Sequence, residues 1–191
     1  MTTATIFGTG NMGTAIAGLF TEAGVETQTL NSKSTAETVT GDIVVLAVPY
    51  PALETIVAAY GDQLSGKVVV DLTNPLDFST FDSLVVPADG SAAAELAAHL
   101  PNSHVPKAFN TNFAATLSTK LVGGQPTTVL IAGDDDESKH TLIDLLSKAN
   151  LSAVDTGSLK RARELESLGF LQLALAASEK IGWTGGFSLE H

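Results

Sequence analysis

Three glycines near the start of the chain have a spacing that chemistry can use. Gly8, Gly10 and Gly13 form G-x-G-x-x-G directly after the run Ala4-Thr5-Ile6-Phe7. Met12, Ile16, Leu19, Phe20 and Ala23 then recur at helical spacing, and Gly24 stands where such a helix would end. A strand, a glycine turn and a helix in that order build an anion site. Gly8 permits the tight turn, Gly10 leaves room for a pyrophosphate against the backbone, and Gly13 lets the helix lie close to the sheet. Free N–H groups and the partial positive charge at the helix start complete the cradle. The motif predicts dinucleotide binding by Gly8, Thr9, Gly10, Asn11, Met12 and Gly13. The competing reading is a glycine turn that binds nothing.

The second informative stretch is Asn31-Ser32-Lys33-Ser34, after a second strand predicted over 25–30. A site for NAD(H) usually carries an acid here for the ribose 2′-hydroxyl. Hydroxyls and an ammonium group suit a 2′-phosphate instead, which predicts NADP(H) held by Asn31, Ser32 and Lys33. An ordinary polar loop is the alternative.

The elements that must position these residues alternate strand and helix. Ile43 to Val48 is a continuous apolar run, as in a strand buried on both faces of a parallel sheet. Only about a dozen residues separate it from the second strand, near the minimum for a parallel crossover. The intervening helix is predicted to be a turn or two, capped by Ser34 with Glu37 three residues on. A helix over 52–60, a strand over 67–72, a loop over 77–90 and a helix over 91–100 follow. A fifth strand is expected over 103–109 despite Pro106, as an edge or at a bulge. A sixth strand over 127–132, a helix over 137–149, a short strand over 151–155 and a long helix over 159–181, kinked near Gly169, complete the pattern.

The acidic run Asp134-Asp135-Asp136-Glu137 reads as the start of a helix rather than a metal site, because it lacks alternating calcium-loop spacing. No Ser-His-Asp or paired-carboxylate arrangement can be argued from spacing, so no catalytic residue is assigned.

The fold class expected is α/β: a Rossmann-type doubly wound, mostly parallel sheet with a C-terminal helix. Residues 1–191 are read as one dinucleotide-binding domain, with 159–182 as a helical appendage. A net charge of -11 argues against nucleic acid or an anionic membrane as partner. There is no cysteine, hence no disulfide framework and no thiolate metal site. The early first strand leaves no room for a signal peptide, and no apolar run is long enough to span a membrane, so a cytoplasmic location is expected. The apolar face of the last helix suits core packing or a homodimer seam.

Taken together, several segments resemble the NADPH-dependent reductases of coenzyme F420, and the cytoplasmic domain of STEAP-type ferric reductases. They are Gly8-Thr9-Gly10-Asn11-Met12-Gly13, Asn31-Ser32-Lys33, Ala47-Val48-Pro49, Asn74-Pro75-Leu76, Lys107 to Thr111, Gly133 to Lys139 and Leu165-Glu166-Ser167-Leu168. The resemblance implies that the Thr9–Met12 turn holds the pyrophosphate and that Ser32 and Lys33 hold the 2′-phosphate. It implies that Ala47, Val48, Pro49, Asn74 and Pro75 line the path to the nicotinamide. Leu76, Asn110 and Ala114 would then lie beside the acceptor, F420 or a flavin (FMN or FAD). The F420 enzymes carry His at the position of Asn110, whereas ferric-reductase relatives carry Asn.

The function expected is hydride transfer between NADPH and a flavin-like acceptor, in which the protein supplies orientation and water exclusion. Two alternatives stand beside it. One is an NADP(H)-binding module that senses redox state or serves a partner without turnover. The other is a small imine or carbonyl reductase of the pyrroline-5-carboxylate reductase type.

Overall fold

The computed structural model describes residues 2–34 and 37–189. Its centre is a parallel sheet of four strands in the order β2-β1-β3-β4. The strands are β1 (Thr3–Phe7), β2 (Glu26–Leu30), β3 (Ile43–Leu46) and β4 (Val68–Asp71). β3 is buried along its whole length, as its continuous apolar run predicts. Alternation sends its side chains to two cores. Ile43 and Val45 join Ile6 against Ile16, Leu19 and Phe20 of α1 (Asn11–Glu22) and Leu142 and Leu146 of α5 (Asp136–Lys148). Val44 and Leu46 join Phe7 against Leu53, Tyr60 and Leu64 of α2 (Ala52–Leu64) and Leu96 of α3 (Ala92–His99). The sheet is thus covered by helices on both faces, a Rossmann-like α/β fold.

The link from β2 to β3 departs from expectation. Among the described residues, 37–42 contain no helix; Thr35 and Ala36, on which the predicted helical turn also falls, lie outside them. The Ser34 hydroxyl accepts from Asn31 N–H at 3.2 Å, so it faces back into its own turn rather than forward as a cap. Polar contacts lay the link flat on the sheet instead. Gln28 Oε1 accepts from Thr5 Oγ1 at 2.8 Å and from Thr40 N–H at 3.2 Å, and Gly41 N–H donates to Thr5 Oγ1 at 2.9 Å. A Cβ at Gly41 would lie 2.2 Å from Thr5 N, so only glycine lets the link pass this close.

The strand expected over 103–109 is reduced to isolated bridges, because Pro106 has no N–H to contribute. Nor is it an edge. On one side Asp71 N–H donates to Pro106 O and Ala108 N–H to Asp71 O; on the other, Lys107 and Ala132 exchange both backbone bonds. The segment therefore joins the four-stranded sheet to a parallel pair, β7 (Thr128–Ile131) and β8 (Ser152–Asp155). Between them the chain forms α4 (Ala114–Thr119) and a small hairpin, β5 (Leu121–Val122) with β6 (Gln125–Pro126), neither of which the sequence pattern predicted. Six residues are too short for a periodic signal.

The acidic run does start a helix. Asp135 Oδ2 accepts from Ser138 N–H at 2.7 Å and from its hydroxyl at 2.5 Å, which holds the Asp135 carboxyl below its usual range. At the other end, a short 3₁₀ turn (Leu159–Arg161) leads into α6 (Ala162–Ala177), which runs unbroken through Gly169. The kink expected there is absent, and Gly169 has a different purpose, described below. No helix among the described residues is long and apolar enough to cross a membrane.

Candidate functional site

The chain enters at β1, takes β2 on one side and then crosses to β3 on the other. A crevice opens where such a sheet reverses direction, outside the carboxyl ends of β1 and β3. Here those ends continue as Gly8-Thr9-Gly10 and Ala47-Val48-Pro49. These residues, with Asn31 and Ser32 beyond β2, line a cleft of about 710 Å³. α2 supplies the opposite wall through Ile56, Ala59 and Tyr60, and Tyr60 Oη donates to Ser34 O at 2.9 Å. That bond pins the polar turn to α2.

The three glycines have different reasons to be glycine. Gly8 has φ +117°, and a Cβ there would lie 2.1 Å from Ala47 O. A Cβ at Gly13 would lie 2.0 Å from Gly8 O, so this residue sets how closely α1 approaches the turn. Gly10 has φ -75°, which any residue adopts, and a Cβ there meets no protein atom within 4 Å. Neither backbone conformation nor packing requires glycine at that point. The open space lies beside the start of α1, which no side chain caps.

A second cavity, of about 380 Å³, adjoins the first; Val48 and Pro49 line both. Asn11, Met12, Asn74, Asn110 and Ala114 face it, among apolar neighbours that include Phe78, Phe113 and Trp183. The rings of Phe113 and Trp183 pack with centroids 5.0 Å apart. At its floor two amides are interlocked. Asn110 Nδ2 donates to Asn74 Oδ1 at 2.9 Å and to Leu165 O at 2.8 Å, while Asn74 Nδ2 donates to Asn110 O at 2.8 Å. Phe109, buried just before them, holds φ +65°, a left-handed conformation uncommon for a bulky residue. Gly169 explains itself here: a Cβ would lie 2.4 Å from Asn74 Oδ1 and 2.9 Å from Asn110 O. α6 thus closes the floor of the cavity through a residue that has no side chain.

Tyr50 is the one titratable side chain lining this second cavity among the described residues. Its hydroxyl donates to Glu95 Oε2 at 2.5 Å. Burial, and then the Glu95 carboxylate, push its pKa up to about 12. The cavity therefore presents no group that would exchange a proton near neutral pH.

Of the residues singled out from sequence, four line neither cavity. Gly13 is buried in the turn, and Pro75 and Leu76 are buried beyond Asn74. Lys33 is exposed, and its backbone N–H donates to Asn31 Oδ1 at 2.8 Å.

Beneath the second cavity lies a cluster that spacing did not reveal. Lys107 Nζ, wholly buried, donates to Asp71 Oδ2 at 2.8 Å, to Glu166 Oε1 at 2.7 Å and to Thr73 O at 2.5 Å. Glu166 also accepts from Ala92 N–H at 2.9 Å and Ala93 N–H at 3.2 Å, the first turn of α3. Burial pushes the Glu166 carboxyl above its usual pKa, and Lys107 pulls it back. This cluster ties the end of β4, the 104–108 segment, α3 and α6 to one ammonium group. Asn74 and Asn110 each lie three residues beyond one of its members, Asp71 and Lys107. A lysine within an otherwise apolar stretch was the one signal that could have found it.

Residues 25–75 match the family model described as "NADP oxidoreductase coenzyme F420-dependent", a span that runs from β2 to Pro75. Over 168 residues the chain is 29% identical to the F420-dependent NADP reductase of Methanocaldococcus jannaschii, covering 86% of this chain and 75% of that one. Over most of its length this chain is thus similar in sequence to F420-dependent NADP reductases. It is also 36% identical over 107 residues to metalloreductase STEAP3 of Rattus norvegicus, covering 56% of this chain but only 21% of that protein. Among solved structures, one from Arthrobacter sp. FB24, provisionally assigned as an F420-dependent NADP-reductase, superposes with a TM-score of 0.85. It is 22% identical and the match covers 98% of this chain and 99% of that one, which shows a shared fold.

Proposed function

We propose that this chain is an oxidoreductase that passes hydride between NADPH and coenzyme F420, with a flavin as the alternative acceptor. The observation that carries the reading is the pair of adjoining cavities: a glycine-lined cleft at the reversal of the sheet and, sharing Val48 and Pro49 with it, an apolar cavity without a proton-exchanging group. The space in front of Gly10 fits a pyrophosphate, which is the group a Cβ there would displace. Thr9, Gly10, Asn11 and Met12 would hold that pyrophosphate at the uncapped start of α1. Asn31, Ser32 and Lys33 would hold the adenosine 2′-phosphate. Lys33, now directed to solvent, would reach it from the rim of the cleft.

Bound there, NADPH supplies the hydride. Val48 and Pro49 lie where the cleft becomes the cavity and would separate the phosphate end from the reacting end. The interlocked Asn74 and Asn110 give that end a rigid floor. Phe78, Phe113 and Trp183 offer apolar surface to a flat ring and exclude water. Tyr50 stays protonated and bonded to Glu95, so the proton that completes the reduced ring at its nitrogen would come from solvent. Transfer to a ring carbon fits this better than reduction of a small imine or carbonyl, which calls for a positioned acid.

The same reading takes the chain as one domain, with 159–182 appended, acting in the cytoplasm as a homodimer in which the half-exposed Leu171 of α6 joins the seam. The test is anaerobic oxidation of NADPH followed by absorbance, with F420 and FMN as parallel acceptors and NADH as parallel donor. Turnover on F420 with NADPH, at least roughly tenfold faster than with NADH, is expected. NADPH binding with silence on both acceptors would favour a binding module instead.

A further inference from the structure

The turn that follows β2 is shaped from within and placed from without. Ser34 N–H donates to Asn31 O at 2.9 Å, and Lys33 N–H donates to Asn31 Oδ1 at 2.8 Å. These bonds close residues 31–34 into a compact turn. Asn31, Ser32 and Lys33 are exposed, so packing does little to seat it. Its entrance is fixed by Leu30, wholly buried at the end of β2, whose carbonyl accepts from Gly8 N–H at 2.8 Å. Among the described residues, one hydrogen bond ties residues 31–34 to another element, from Tyr60 Oη to Ser34 O at 2.9 Å. Tyr60 is itself held. It is 8% exposed, and its ring meets Phe7 edge-on with centroids 5.0 Å apart. Phe7 leads directly into Gly8. One side chain therefore touches the root of the glycine turn with its ring and the polar turn with its hydroxyl. One turn further along α2, Gln63 Oε1 accepts from Val39 N–H at 2.9 Å and holds the chain again beyond the polar turn.

We infer that Tyr60 is a positioning residue for dinucleotide choice: by fixing Ser34 it sets the distance from the glycine turn to Ser32 and Lys33, and so the grip of the cleft on a 2′-phosphate. The inference rests on the reading of this cleft as an NADP(H) site, and it assigns Tyr60 no contact with the phosphate. Without the hydroxyl, Ser34 O can bond to water, so the turn keeps its shape but loses its seat. Groups that must meet phosphate oxygens at hydrogen-bond distance lose much of their value when the turn that carries them shifts. Contacts to the pyrophosphate, made at the glycine turn, do not depend on that seat.

The test is fluorescence titration of the intact protein with NADPH and with NADH, which differ by the 2′-phosphate alone, in the absence of any acceptor. Tyr60→Phe keeps the ring against Phe7 and removes the hydroxyl. It is expected to bind NADPH roughly tenfold more weakly and NADH within about twofold of the parent. A merely structural role would weaken both alike. In a Lys33→Ala background the penalty of Tyr60→Phe on NADPH is expected to shrink, because a group that the turn positions is gone. If Tyr60→Phe fails to fold, Gln63→Leu carries the test, with the same split between the two dinucleotides expected. Equal weakening of both, an unchanged NADPH affinity in the folded variant, or a penalty undiminished by Lys33→Ala overturns the inference. A parent protein that binds neither dinucleotide overturns the NADP(H) reading and this inference with it. A parent that prefers NADPH, with that preference intact in Tyr60→Phe, overturns this inference alone.

Discussion

Lys107→Met is expected to cost about 3–5 kcal/mol of folding stability, measured as the shift in urea unfolding free energy. Lys107 is the sole ammonium among the bonds described for Asp71 and Glu166, and all three side chains are at most 1% exposed. Methionine matches the aliphatic stem and removes the charge, leaving two carboxylates in a site built for a cation. Against a domain stability of about 5–15 kcal/mol, such a loss leaves the fold marginal. The deficit should depend on pH in a definite direction. Burial already raises the Glu166 pKa, and Lys107 is the leading influence that lowers it. With Lys107 gone, the folded-state pKa rises further above the unfolded value. Stability from such a group is complete below the unfolded pKa and is lost as pH rises through the folded pKa. The variant should therefore recover toward the parent as pH falls from about 7 toward the ordinary glutamate range. A deficit that is small and constant with pH would mean that the cluster does not hold the fold as its geometry indicates.

Gly10→Ala is expected to weaken NADPH binding roughly a hundredfold, while changing stability by at most about 1 kcal/mol. Its backbone is extended and its added methyl meets no protein atom, so the fold has no reason to object. The methyl occupies the space where a pyrophosphate would approach. Gly13→Ala is the control with the opposite character. Its methyl would lie 2.0 Å from Gly8 O, so it should damage the fold itself. Fluorescence titration with NADPH, beside thermal unfolding, separates the two. If Gly10→Ala binds NADPH like the parent, the glycine turn does not cradle the dinucleotide.

The contrast between these glycines also shows how far a sequence can be read. The strand, turn and helix from β1 to α1 were legible because local period and turn chemistry agree there. The four consecutive buried residues of β3 announced a central strand for the same reason. Gly169 was misread. Glycine inside a helical pattern suggests a kink, but here it answers a close approach by Asn74 and Asn110, far away in sequence. The Lys107 cluster was hidden in the same way, since its partner Glu166 lies 59 residues away. Pro106 suggested an edge or a bulge; instead its neighbours bond on both sides, and the missing N–H merely breaks the ladder into bridges. What local pattern encodes was readable; what tertiary contact decides was not.

The proposed hydride transfer runs directly from NADPH to F420 in the cavity above Asn74 and Asn110. The measurement that tests it most directly is a single anaerobic turnover with NADPH deuterated at either face of C4, followed by mass analysis of reduced F420. One of the two labelled forms is expected to deliver its deuterium to the product, with a slowed rate for that form alone. Absence of deuterium from the product with both forms, or no reduction of F420 while NADPH remains bound, would contradict direct transfer and leave this fold as a dinucleotide-binding module.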